Sequence, residues 1–124
     1  MNRSISSILA LLISIFLITE GIWGEFSDVI FVVLTTNRIR ASIHILLGLI
    51  GIITALKGGA RMFLVVVGAI ILLVGVLWFI PTTSSLMVDL LAVNRPVAIL
   101  NTIVGIVALL VGLSDRRERR FSYR

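Results

Sequence analysis

The sequence predicts an all-α integral membrane protein, a four-helix bundle built from two tandem, parallel helical hairpins. Three observations lead there. The 124-residue chain is 59% hydrophobic and only 14% charged, a balance too apolar for a water-soluble core with a charged skin. Four runs, at residues 5–24, 41–56, 62–80 and 96–114, contain a single charged residue, Glu20. Each approaches the roughly 17–25 residues that a helix needs to cross about 30 Å of hydrocarbon. Finally, His44, Gly48, Gly51 and Ala55 reappear 57 positions later as Asn101, Gly105, Ala108 and Gly112, each set following an Asn-Arg pair, Asn37-Arg38 and Asn94-Arg95.

The apolar runs are continuous rather than alternating, and backbone amides in hydrocarbon must be satisfied within the segment, so helices are expected and a barrel is not. The first run follows Arg3. It is long for the apolar part of a cleaved signal, and a cut after Gly24 would put Ile22 and Trp23 where a signal peptidase wants small residues, so the run is expected to stay as a span. The second follows Asn37, whose side chain can cap the free N–H groups of a helix, and ends at Gly58-Gly59, with Lys57 able to snorkel to the headgroups. Pro81 closes the third. Asn94 caps the fourth, and Pro96 suits its first turn, where a missing N–H loses no intrahelical bond. Trp23 and Trp78 mark the outer ends of the odd-numbered spans, the depth that indole prefers. The connectors 25–37 and 81–94 are too short to cross, yet carry apolar stretches at 29–34 and 86–93. They are expected along the membrane surface or folded over the bundle. The chain then divides into one transmembrane domain, 1–114, with repeats 4–59 and 60–114, and a basic tail, 115–124.

The formal net charge is +5, and its distribution sets orientation. Arg3, Lys57, Arg61, Arg116, Arg117, Arg119, Arg120 and Arg124 share one face, against Arg38, Arg40 and Arg95 on the other. Both termini are therefore expected in the cytoplasm. Each repeat contributes two spans, so both copies cross in the same sense and are related about the membrane normal. The arginines of the tail read as a topological anchor that attracts anionic headgroups at about 1 kcal/mol each, rather than as a nucleic-acid patch. No nucleic-acid partner is expected.

At 100° per residue, Gly48, Gly51 and Ala55 fall with His44 on one narrow stripe, as do Gly105, Ala108 and Gly112 with Asn101. Lipid tails are as apolar as leucine, so helices in a bilayer associate where small residues let backbones approach. Ser7, Ala10, Ser14 and Gly21 form a comparable face on span one, and Gly68 and Gly75 stand one heptad apart on span three. These stripes predict a compact left-handed bundle.

The candidate polar cluster is Glu20, His44 and Asn101. A carboxylate at the bilayer centre costs about 2.5–3.5 kcal/mol on insertion scales, so Glu20 should face protein, and His44 on span two lies at similar depth. One reading is a proton or cation site, because histidine titrates near neutrality. The favoured reading is interhelical glue at about 0.6 kcal/mol per bond. With the tryptophans aligned, Gly75 stands where Glu20 does, and Asn101 bonds but cannot titrate. With no cysteine and one histidine, neither a metal nor a haem site is supported, and no cofactor is expected. No nucleophile has a base and acid around it, so the chain does not read as an enzyme.

Ile43-His44-Ile45-Leu46-Leu47-Gly48, Val76-Leu77-Trp78-Phe79-Ile80-Pro81, Val93-Asn94-Arg95 and Leu100-Asn101 with Gly105 resemble a bacterial four-helix membrane family described as domain of unknown function 4383, over almost the whole chain. The resemblance implies a four-span protein of the bacterial inner membrane. It also implies a histidine four residues before a glycine in both even-numbered spans; His44 before Gly48 matches, and Asn101 before Gly105 departs. The family supplies no biochemical role. The expectation is a structural or accessory subunit that presents its bundle and outer connectors to a membrane-protein partner or a second copy. The alternative is an ion-coupled small-molecule transporter or channel component using Glu20.

Overall fold

The computed structural model describes residues 5–115. The chain forms helix α1 (Ile5–Phe26), short strands β1 (Val29–Ile30) and β2 (Leu34–Thr35), then helices α2 (Arg38–Leu56), α3 (Ala60–Trp78), α4 (Pro81–Leu91) and α5 (Arg95–Ser114). Helices α1, α2, α3 and α5 are long and apolar enough to cross a membrane. The tail arginines and Arg3 lie outside the described residues.

Helix ends follow local chemistry. Asn37 Oδ1 accepts from Arg40 N at 2.9 Å, and Asn94 Oδ1 from Val97 N at 3.1 Å, so each asparagine satisfies one free amide of the helix it precedes. Helix α2 stops at Gly58, whose φ of +84° places it in the left-handed region. The Gly59 amide then reaches back to Thr54 O at 2.7 Å, closing the helix before α3 begins.

Pro81 does more than terminate α3. It occupies the first turn of α4, where its fixed φ is already helical. The second connector is therefore a fifth helix. It ends at Ala92, in the left-handed region with φ 52°, and the Val93 amide returns to Met87 O at 3.3 Å. The first connector is an antiparallel hairpin that pairs Val29 with Thr35 and Ile30 with Leu34. At its tip Val33 N donates to Phe31 O at 2.8 Å across Val32, whose φ is 70°. This is a strained turn for a β-branched residue.

The spans pack chiefly as α1 on α2 and α3 on α5. One apolar core, including Leu17, Phe63, Leu64, Val67 and Ile71, fills the space between these pairs. A second, built on Ile30, Leu34, Met87, Val93 and Val97, lies under the two connectors. Both connectors thus fold over one end of the bundle. Trp78 is drawn under that cover, its Nε1 buried with no hydrogen-bond partner among the described residues. It is the last residue of α3 and packs, partly buried, against the second core. Trp23 is partly exposed and meets the Phe31 ring edge-on at 4.9 Å.

Gly48, Gly51 and Ala55 are buried on α2, and Gly105, Ala108 and Gly112 on α5. Leu46, Leu49, Ile50 and Ile53 on α2 face outward. The buried stripes are contact lines. A Cβ added at Gly48 would meet Ser14 O at 2.7 Å, and one at Gly105 would meet Gly68 O at 2.8 Å. Gly21 would strike Ala41 O at 2.6 Å, and Gly75 would strike Ala98 O at 2.8 Å.

Candidate functional site

The interior polar residues converge where all four spans meet, beneath the folded connectors. Glu20 belongs to a buried run Leu17, Glu20, Gly21, Gly24 on α1, so its carboxylate is carried inward by the helical repeat itself. It is 5% exposed. His44, one turn before Gly48 on α2, brings Nδ1 within 3.3 Å of Glu20 Oε1, with its side chain 13% exposed. Asn101 on α5 lines the same small cavity as Glu20 and His44, alongside Phe16, Leu17 and Ile71. The cavity measures about 20 Å³, room for about one water, which needs polar partners of the kind these three side chains offer.

Arg40, by sequence only one of the outer-face cations, belongs to this interior as well. Arg40 is 3% exposed. Its guanidinium donates to Thr35 O at 2.6 Å, Leu91 O at 3.2 Å and Ala92 O at 3.4 Å. It therefore ties β2 to the end of α4, where the last helical carbonyls have no intrahelical donor. Burial strips water from the guanidinium, the larger effect, and the Glu20 carboxylate on α1 partly offsets it through space. One signal was present in the sequence: Arg40 is followed 57 positions later by Val97, so the first half places a cation where the second has an aliphatic.

Two asparagines complete the junction. Asn37 Nδ2 donates to Leu90 O and Asn94 Nδ2 to Val33 O, both at 2.9 Å. The two bonds are related by one shift of 57 positions, since Asn37 precedes Asn94, and Val33 precedes Leu90, by that interval. Thr35 Oγ1 donates at 2.6 Å to the carbonyl of Ala92, which holds the corresponding place in the second half.

Contacts at the glycines refine this register. Gly21 meets Ala41 and Ile45, while Gly75 meets Ala98 and Thr102; Gly48 meets Ser14 and Ile18, while Gly105 meets Gly68 and Leu72. The same contacts thus recur at an interval of 57 positions on α2 and α5 and of 54 on α1 and α3. Aligning the tryptophans is one residue out. Gly75 takes the place of Gly21, and the residue opposite Glu20 is Val74. At those intervals Glu20, Arg40 and His44 stand against Val74, Val97 and Asn101.

Four apolar spanning helices closed over a buried polar centre define a multi-pass membrane protein. The chain belongs to the family described as Domain of unknown function (DUF4383), whose model matches residues 7–114. No curated protein and no solved structure matches it.

Proposed function

We propose that this protein is a non-enzymatic structural or accessory subunit of the bacterial inner membrane, with both termini in the cytoplasm and the folded connectors on the opposite side. It descends from one helical hairpin copied in tandem, the two copies being related about an axis along the membrane normal. Recurrence of contacts at two fixed offsets supports the duplication, and the excess of Lys and Arg on the terminal face supports the orientation.

The observation that carries the structural role is the joining of both connectors into one cap by Asn37, Asn94 and Arg40. A cap fastened this way presents a fixed surface to a partner. In this reading Glu20 is the counter-charge that lets Arg40 remain buried, and His44 completes the pair. The experiment is site-specific photocrosslinking in the native membrane from the exposed cap positions Val32 and Leu86, with lipid-facing Leu110 as control. One discrete companion from both cap positions and none from Leu110 supports the reading. Identical patterns from all three positions refute it. Fusing a fluorescent or periplasm-dependent reporter to the carboxy terminus tests the orientation.

A second reading makes Glu20 the coupling acid of an ion-coupled transporter or channel component. The Glu20–His44 pair beside a water-sized cavity favours it. The same cavity has no room for a small-molecule cargo, which ranks this reading second. Proton release from reconstituted protein on adding candidate cations, lost on Glu20→Gln, would reverse the order.

A further inference from the structure

We propose that the end of the bundle opposite the cap holds one anionic phospholipid in a groove between the α2–α3 turn and the end of α5. The groove is about 590 Å³ and is lined by Gly58, Gly59, Arg61, Met62, Val66 and Leu113. Its walls are apolar along the first turns of α3, and its end at the α2–α3 turn is basic. Arg61 lines it, and Lys57 is exposed immediately before the turn. Asp115 Oδ2 accepts from Ser6 N at 2.9 Å at the start of α1.

The two glycines of the turn differ in what requires them. Gly58 needs its left-handed backbone and has nothing within 4 Å of an added Cβ. Gly59 has no such backbone need, since its φ is −97°, and an added Cβ would touch Thr54 at an ordinary 3.4 Å. Neither strain nor packing at the backbone demands glycine at 59. A side chain there would instead occupy the mouth of the groove.

Arg61 is held in place by its Nε, which donates to Gly112 O at 2.7 Å. That bond satisfies a carbonyl at the end of α5 and fixes the guanidinium at this end of the bundle. An occupant matching these walls is negative at one end and hydrocarbon at the other. A phosphate meets Arg61 and Lys57, and an acyl chain runs beside Met62 and Val66. Basic pockets between spans recognise anionic headgroups in this manner.

The test is native mass spectrometry of the full chain released from nanodiscs containing equal phosphatidylglycerol and phosphatidylcholine. The expected result is one phosphatidylglycerol retained per chain through collisional activation. Retention falls at least tenfold in Lys57→Gln/Arg61→Gln, which removes the charge, and in Gly59→Leu, which fills the groove and leaves the charge. Equal retention of phosphatidylcholine overturns the proposal. So does full retention by Gly59→Leu, or displacement by millimolar inorganic phosphate, which would identify a simple anion site. Should the doubly substituted protein unfold in detergent, Lys57→Gln alone carries the charge test and is expected to show a smaller loss; no loss there overturns the proposal as well.

Discussion

Replacing Asn37 and Asn94 in turn by Ser and by Ala separates two jobs that each side chain performs at once. Serine keeps an oxygen that can accept from the second or third amide of the helix, but has no amide to donate across the cap; alanine has neither. Loss of an N-cap costs about 1 kcal/mol. Loss of a neutral hydrogen bond costs about 0.5–1.5 kcal/mol, and the lower half of that range applies here because Leu90 and Val33 are exposed, so water can replace the bond. Serine at either site is therefore expected to cost about 0.5–1 kcal/mol, and alanine about 1.5–2 kcal/mol. Because the two cross-bonds fasten the same pair of connectors, the Ser/Ser double variant should depart from additivity by about 0.5 kcal/mol or more. Reversible unfolding in mixed micelles, followed by circular dichroism, measures all of these. Indistinguishable serine and alanine variants at both sites would show that the amides contribute nothing, and the fastened cap would be lost as an explanation.

Three further outcomes are expected. Glu20→Gln should destabilise the protein by about 2 kcal/mol, and by much less in an Arg40→Val background, because the carboxylate offsets the buried guanidinium; equal costs in both backgrounds, read by thermal melting in detergent, would disconnect the two. Gly75→Ala should cost about 1–3 kcal/mol, since the new methyl would lie 2.8 Å from Ala98 O and helices in lipid must separate to admit it; an unchanged melting temperature would contradict the packing. Val32→Gly should stabilise by about 0.5–1 kcal/mol through relief of the positive φ, less the entropy of glycine in the unfolded chain, while Phe31→Gly should destabilise, because the Phe31 ring stacks on Phe16 at 5.6 Å; both variants moving the same way would sink this account of the turn.

Sequence alone determined the spans, their ends and the faces they bury. The reason is local: in hydrocarbon each segment must satisfy its own amides, so an uncharged run of the right length, an asparagine before it and a stripe of small residues carry the whole message. Glu20 and His44 were legible for the same reason, being expensive residues at matching depth. Tertiary structure decided the rest. Whether residues 81–91 form a surface strip or a fifth helix packed over the bundle depends on Met87 and Val93 finding Ile30 and Leu34, residues more than fifty positions away. The offset of 54 in the odd-numbered spans, and with it Val74 rather than Gly75 opposite Glu20, shows only in which backbone meets which glycine. Arg40 looked like one more outer charge until the fold carried the carbonyls of α4 to it. Propensity and periodicity act over a few residues, whereas the partner of a buried cation is chosen by chain segments brought together from afar.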